Sequence, residues 1–123
     1  MKAGVGAVAL LTMLVTGGRI RSRYERDHFV VEETGISSPK IKQAKRLVFL
    51  TDLHDKEFGV GNCQLLNEIS KIKPSAVLIG GDTMVVKPDR AKLMVTETLL
   101  DGLSGICPIY YGNGNHEQRL RRE

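Results

Sequence analysis

The chain has only two cysteines, Cys63 and Cys107, with no metal-type spacing between them. That excludes a disulfide framework and a thiolate metal cage, so both read as small buried hydrophobes. Tryptophan is absent and aromatic residues make up 5%. The few aromatics do not interleave with basic residues, as a stacking platform for single-stranded nucleic acid requires. Charge of one sign is not concentrated either. The net charge is +4, but the positive residues are dispersed or collect near the two ends, at Arg19, Arg21, Arg23 and Arg26 and at Arg119, Arg121 and Arg122. Nucleic acid is therefore not an expected partner. Nothing repeats at a fixed period, and no stretch is low in complexity.

A long hydrophobic run is nearly lacking as well. The best is Ala3 to Thr16, opened by Lys2 and followed by Gly17-Gly18-Arg19. At about 1.5 Å per residue such a helix rises about 21 Å, short of the roughly 30 Å hydrocarbon layer. Gly17, Gly18 and Ile20 extend it to a marginal span. No small-x-small cleavage site precedes the arginine cluster, so the expectation is an uncleaved membrane anchor over residues 1–20, meeting the membrane through residues 3–18. The arginines behind it favour the cytoplasmic face for the remainder.

Residues 21–45 read as a juxtamembrane linker and edge strand. Phe29 to Glu33 and Lys40 to Lys45 are expected to be extended, with a loop at Ser37-Ser38-Pro39. His28 reads as a surface or strand residue. From residue 46 to 123 apolar runs and amphipathic stretches alternate. Arg46 to Thr51 suits a central strand buried on both faces. Asn62 is placed to cap a helix that buries Leu65, Leu66, Ile69 and Ile72, and Pro74 stops it. Ala76 to Ile79 is a second buried strand. Pro88 opens a second helix with Ala91, Val95 and Leu99 on its stripe and Met94 beside it, and Gly102 and Gly105 end it. Ile106 to Tyr111 is the third strand, with Tyr110 and Tyr111 as core and rim. The pattern is α/β, in the order β-α-β-α-β, with parallel strands and right-handed crossovers.

Parallel order brings the loops after all three strands to one sheet edge. Those loops are Asp52-Leu53-His54, Gly80-Gly81-Asp82 and Gly114-Asn115-His116-Glu117. Asp52 and His54, one residue apart, can enter the same pocket, and a carboxylate with an imidazole suits manganese, iron or zinc. Asp82 follows two glycines where backbone can approach closely, and one carboxylate can bridge two cations. Asn115 offers a neutral amide oxygen to a second metal. His116 is placed to act as a general acid or to clamp an oxyanion. Asp55, Lys56 and Glu57 read as solvated loop residues, Asp55 being near enough to touch substrate.

The ordered set Asp-x-His, Gly-Asp and Gly-Asn-His-Glu resembles the calcineurin-like metallophosphoesterase family over roughly Leu47 to Glu117. The resemblance implies the β-α-β-α-β half of an αββα sandwich and two divalent metal ions. It implies that Asp52 and His54 bind the first metal, Asp82 bridges both and Asn115 binds the second. His116 would act on the phosphate and leaving group, with Glu117 in support. The implied activity is hydrolysis of a phosphate ester or pyrophosphate by metal-activated water, on a substrate that an anchored enzyme could meet on a lipid. The family completes its metals with later histidines, including a Gly-His-x-His motif that this chain does not contain. The chain therefore reads as a truncated amino-terminal part, weak in metal binding and activity on its own. The alternative is a non-catalytic binding or scaffold remnant of the same fold.

Overall fold

The structure, a computed structural model, describes Arg19, Arg21, Tyr24, residues 27–87, 90 and 91, and residues 93–120. It divides into two units, Met1–Gly35 and Ile36–Glu123. The expected anchor over residues 1–20 lies outside the described residues, Arg19 excepted. Among the described residues no helix is long and apolar enough to cross a membrane. In the first unit the exposed His28 ring stacks on Tyr24 with centroids 3.9 Å apart.

The two extended segments expected between residues 29 and 45 are not strands. Residues 28–38 carry no regular structure and a turn follows at residues 39 and 40. A short apolar run becomes a strand only when a neighbour takes its N–H and C=O groups, and no described residue supplies that ladder here.

The second unit contains β1 (Leu47–Leu50), α1 (Cys63–Ile72), β2 (Ala76–Ile79), β3 (Val86–Lys87), β4 (Arg90–Ala91), α2 (Leu93–Ser104), β5 (Ile109–Tyr111) and α3 (Asn115–Leu120). Strands β1, β2 and β5 form a parallel sheet in that order, while β3 and β4 pair as a small antiparallel ribbon. The expected α/β alternation is thus present as a small three-stranded domain.

Several local expectations are corrected. The central strand is β2, with Ala76, Val77 and Ile79 buried. Strand β1 lies at the sheet edge, and its Leu47 and Phe49 are 57% and 65% exposed, so it is not buried on both faces. Pro88 lies outside the described residues, and Ala91 belongs to β4 instead of the following helix. That helix buries Thr96, Leu99 and Leu103, a stripe shifted from the expected one. Gly102 sits inside α2, not at its end, because a Cβ there would lie 2.5 Å from Leu66 Cδ1 of α1. Its lack of a side chain lets the two helices approach. Asn62 precedes α1 in left-handed backbone, φ 59°, and does not cap it. Its buried Oδ1 instead accepts from the Phe58 N–H at 3.0 Å. Strand β5 is shorter than expected because the Ile106 and Cys107 N–H groups are taken by Leu103 O at the end of α2. Cys107 is half-buried and Cys63 exposed, so the cysteines are not a buried pair.

Apolar burial converges on one layer between sheet and helices. Val77 and Ile79 from β2, Leu65 and Ile69 from α1, and Leu99 and Leu103 from α2 are all buried. This layer anchors β2, to which β1 and β5 pair, and so fixes where the loops after the strands begin.

Candidate metal centre

The loops after β1 and β2 are stitched together by backbone. Asp52 N–H donates to Gly81 O at 3.2 Å, His54 N–H to Asp82 O at 3.0 Å and Asp55 N–H to Thr83 O at 2.9 Å. This ladder requires unusual conformations. Asp52, His54, Asp55 and Asp82 all have positive φ, between 49° and 58°. Left-handed backbone costs a non-glycine residue about 1–2 kcal/mol, less for Asp with its short polar side chain. Such strain persists where surrounding contacts over-determine it, and it concentrates at functional edges.

The loop after β5 joins through two glycines. A Cβ on Gly81, φ 95°, would lie 2.1 Å from Gly114 N, and one on Gly114 would lie 2.4 Å from Asp82 Oδ1. Both positions therefore admit only glycine. The contact lets the His116 N–H donate to Asp82 Oδ1 at 2.8 Å. The His54 and His116 rings meet edge to face, centroids 5.2 Å apart. All three expected segments thus come together at one end of the sheet.

The metal-type donors stand as two pairs. His54 Nε2 lies 3.7 Å from Asp52 Oδ1, and Thr51 Oγ1 donates to Asp52 Oδ2 at 2.7 Å. On the other side the Asn115 amide faces Asp82. With its nitrogen forward it donates to Asp82 Oδ2 at 2.7 Å and Oδ1 at 3.3 Å. With its oxygen forward two acceptors oppose each other, an arrangement that a shared cation relieves. Asp55 Oδ1 is buried without a hydrogen-bond partner among the described residues. Two carboxylates, an amide and an imidazole suit a divalent ion of the manganese, iron or zinc type. Among the described residues, however, no three His, Cys, Asp or Glu side chains close on one point tightly enough to hold a metal alone.

His116 has a defined orientation. Its Nδ1 accepts from the Val86 N–H at 3.3 Å, so in the neutral ring the proton resides on Nε2.

Glu117 is the most heavily bonded side chain at this edge. Its Oε2 accepts from the Asp82 N–H at 2.9 Å and the Gly114 N–H at 3.0 Å. Its Oε1 accepts from the Thr83 N–H at 2.9 Å, the Tyr111 hydroxyl at 2.8 Å and Thr83 Oγ1 at 3.1 Å. Burial by itself would raise the carboxyl pKa, but these donors outweigh it and hold it down at about 2. Burial pushes the Tyr111 phenol up to about 12; Glu117 adds to that shift and the Thr83 hydrogen bond opposes it.

The sequence reading did not single out Thr83, Tyr111 or Val86 for this site. Thr83 directly follows Asp82 and Tyr111 ends β5, so adjacency to the motifs was the available signal. Val86 acts through its backbone, which no residue type reveals. In comparisons with known proteins, the chain matches no family model, no curated protein and no solved structure.

Proposed function

We propose that this domain binds divalent metal at the end of its parallel sheet and hydrolyses a phosphate ester or pyrophosphate there. The observation that carries the reading is the meeting of Asp52, His54, Asp82, Asn115 and His116 at one edge, stitched by backbone bonds between loops distant in sequence. When bound, the ions supply Lewis acidity toward the phosphoryl group and make water nucleophilic near neutral pH. In this reading Asp52 and His54 would hold one ion and Asn115 the other, with Asp82 as a ligand that would serve both. His116, with its Nε2 proton directed by the bond from Val86, donates to a phosphoryl oxygen or to the departing group. The exposed sheet row of Phe49 and Tyr110 supports assignment to one half of an αββα sandwich. A lipid-borne pyrophosphate is the substrate class an anchor over residues 3–18 would favour.

The separation of the donors into two pairs favours a second reading, a binding or scaffold module of the same fold. A manganese titration of the whole chain separates them, run beside hydrolysis of an aryl phosphodiester. Saturable binding and turnover that Asp82→Asn abolishes support the hydrolase. No binding by the folded wild-type chain leaves the scaffold.

A further inference from the structure

Three hydroxyls and one carboxylate form a continuous chain behind the candidate metal centre. Thr96 Oγ1 donates to Thr83 Oγ1 at 3.4 Å, Thr83 Oγ1 meets the Tyr111 hydroxyl, and Tyr111 donates to Glu117 Oε1 at 2.8 Å. Thr96 and Thr83 are 5% and 2% exposed, so water does not replace these contacts readily.

Thr83 Oγ1 has one proton for two acceptors, Glu117 Oε1 at 3.1 Å and the Tyr111 hydroxyl, and the shorter Tyr111 contact to Oε1, 2.8 Å, sets the direction of the chain. Each hydroxyl has one proton to give, and an ionised carboxylate has about four acceptor sites. If Thr96 gives to Thr83, Thr83 to Tyr111 and Tyr111 to Glu117, every hydroxyl proton is used once. The four sites of Glu117 are then filled by the N–H groups of Asp82, Gly114 and Thr83 and by Tyr111. A carboxylate so occupied has no lone pair left for a metal and no proton to transfer. Hydrogen bonds running in one direction also polarise one another.

We infer that Tyr111 and Thr83 are positioning residues for the metal-binding edge. Their hydroxyls orient the Glu117 carboxylate, and Glu117 in turn holds the backbone N–H groups of Asp82 and Gly114. Those two N–H groups lie in the loops that bring Asp82 against Asn115 and His116. The effect on metal rests on the hydrolase reading above, whereas the bracing of the two loops does not.

Replacing Tyr111 by Phe alone leaves Thr83 Oγ1, 3.1 Å from Oε1, able to take over the donation. The deciding variant is therefore the double substitution Tyr111→Phe with Thr83→Val in the whole chain. Amide hydrogen exchange at Asp82 and Gly114 is expected to speed up about tenfold. Manganese affinity, measured by calorimetry, is expected to fall about tenfold, the lower end for groups that orient ligands. Combining Tyr111→Phe with Thr83→Ser, which returns one hydroxyl, restores both readouts toward wild type, whereas a merely structural loss of packing would not be rescued. If the double variant does not fold, Tyr111→Phe with Thr83→Ala, which also removes both hydroxyls, carries the same exchange test. Exchange at Asp82 and Gly114 as slow as in wild type overturns the inference, whatever manganese does. If the wild-type chain takes up no manganese, the metal reading falls and exchange alone decides the bracing.

Discussion

Asp52 and Asp82 are both aspartates at the carboxyl ends of neighbouring parallel strands, and both occupy left-handed backbone, φ 55° and 52°. Their surroundings differ sharply. Asp82 is half-buried, accepts from the His116 N–H, faces the Asn115 amide and has its own N–H held by Glu117. The Asp52 side chain is 60% exposed, with Thr51 Oγ1 and, more distantly, the 43% exposed His54 beside it. Exposed pairs of that kind contribute little by themselves. One half of the edge is thus preorganised by a carboxylate brace, and the other half relies on its backbone ladder alone. A ligand reaching the site would meet a prepared surface on the Asp82 side and would have to order the Asp52 side.

The strongest way to break this contrast is to remove the contact that creates the prepared half. Gly81→Ala places a Cβ 2.1 Å from Gly114 N, a backbone atom that no side-chain rotation can clear. The expected loss is about 4 kcal/mol, in the range reserved for strain and backbone clashes. Urea unfolding should show a lower midpoint with an unchanged slope. A midpoint near wild type would show that the loops do not meet as described.

Removing the brace itself ranks next. Glu117→Gln keeps the shape but turns one acceptor oxygen into a donor nitrogen facing N–H groups or hydroxyls. Hydrogen bonds to a charged group contribute about 1.5–3 kcal/mol each, so a loss of about 3 kcal/mol is expected after partial rearrangement. Manganese binding should weaken at least as much as in the Tyr111 and Thr83 double variant. If Glu117→Gln matched wild type in calorimetry and in unfolding, the two halves would be equally loose.

The contrast can also be sharpened by pH. The folded pKa of Glu117 is depressed from 4.5 to about 2. Its stabilisation is therefore complete above about pH 5 and is lost as pH falls through 4.5 toward 2. Tyr111 is raised from 10.0 to about 12, so the unfolded chain ionises first in alkali. Its contribution is present below pH 10 and is lost as pH rises from 10 toward 12. Unfolding midpoints measured against pH should decline in both windows for wild type, with the acid decline much reduced in Glu117→Gln.

The brace behind the prepared half was less visible in sequence than the candidate ligands of either half. Asp52, His54, Asp82 and Asn115 carry their chemistry in their residue types and follow apolar runs, so their convergence followed from parallel strand order. The β2 strand was legible for the same reason, as four apolar residues between turn signals. The brace depends on Thr83 and Tyr111, whose hydroxyls read equally well as core or rim, and on N–H groups that every residue carries. Strand order within the sheet was also hidden: β1 is as apolar as β2, and only pairing shows that β1 is at the edge. The stripe of α2 differed from the expected one because Ala91, which fits a helical apolar spacing, pairs with Val86 in the β3–β4 ribbon. Segments near Phe29 and Lys40 had strand-like composition but lacked a ladder partner among the described residues, which composition does not report.

The smallest expected effect on stability is at Asp52, and it tests the contrast from the other side. Asp52→Asn keeps the left-handed backbone accessible, since Asn tolerates it as readily as Asp. The N–H bond to Gly81 O is a backbone bond and survives the change. What disappears is a charge with one hydroxyl donor and a histidine 3.7 Å away, both at an exposed position. Stability should therefore move by no more than about 0.5 kcal/mol. Metal affinity should respond differently, because a neutral amide replaces a charged oxygen donor and the attraction to a divalent ion falls. A loss of about tenfold in manganese affinity is expected, within the range seen when groups around a metal are altered. Calorimetry and urea unfolding on the same sample would show a ligand effect without a folding effect, the reverse of Gly81→Ala. If Asp52→Asn lowered the midpoint as far as Glu117→Gln does, the Asp52 half would be as firmly built as the Asp82 half.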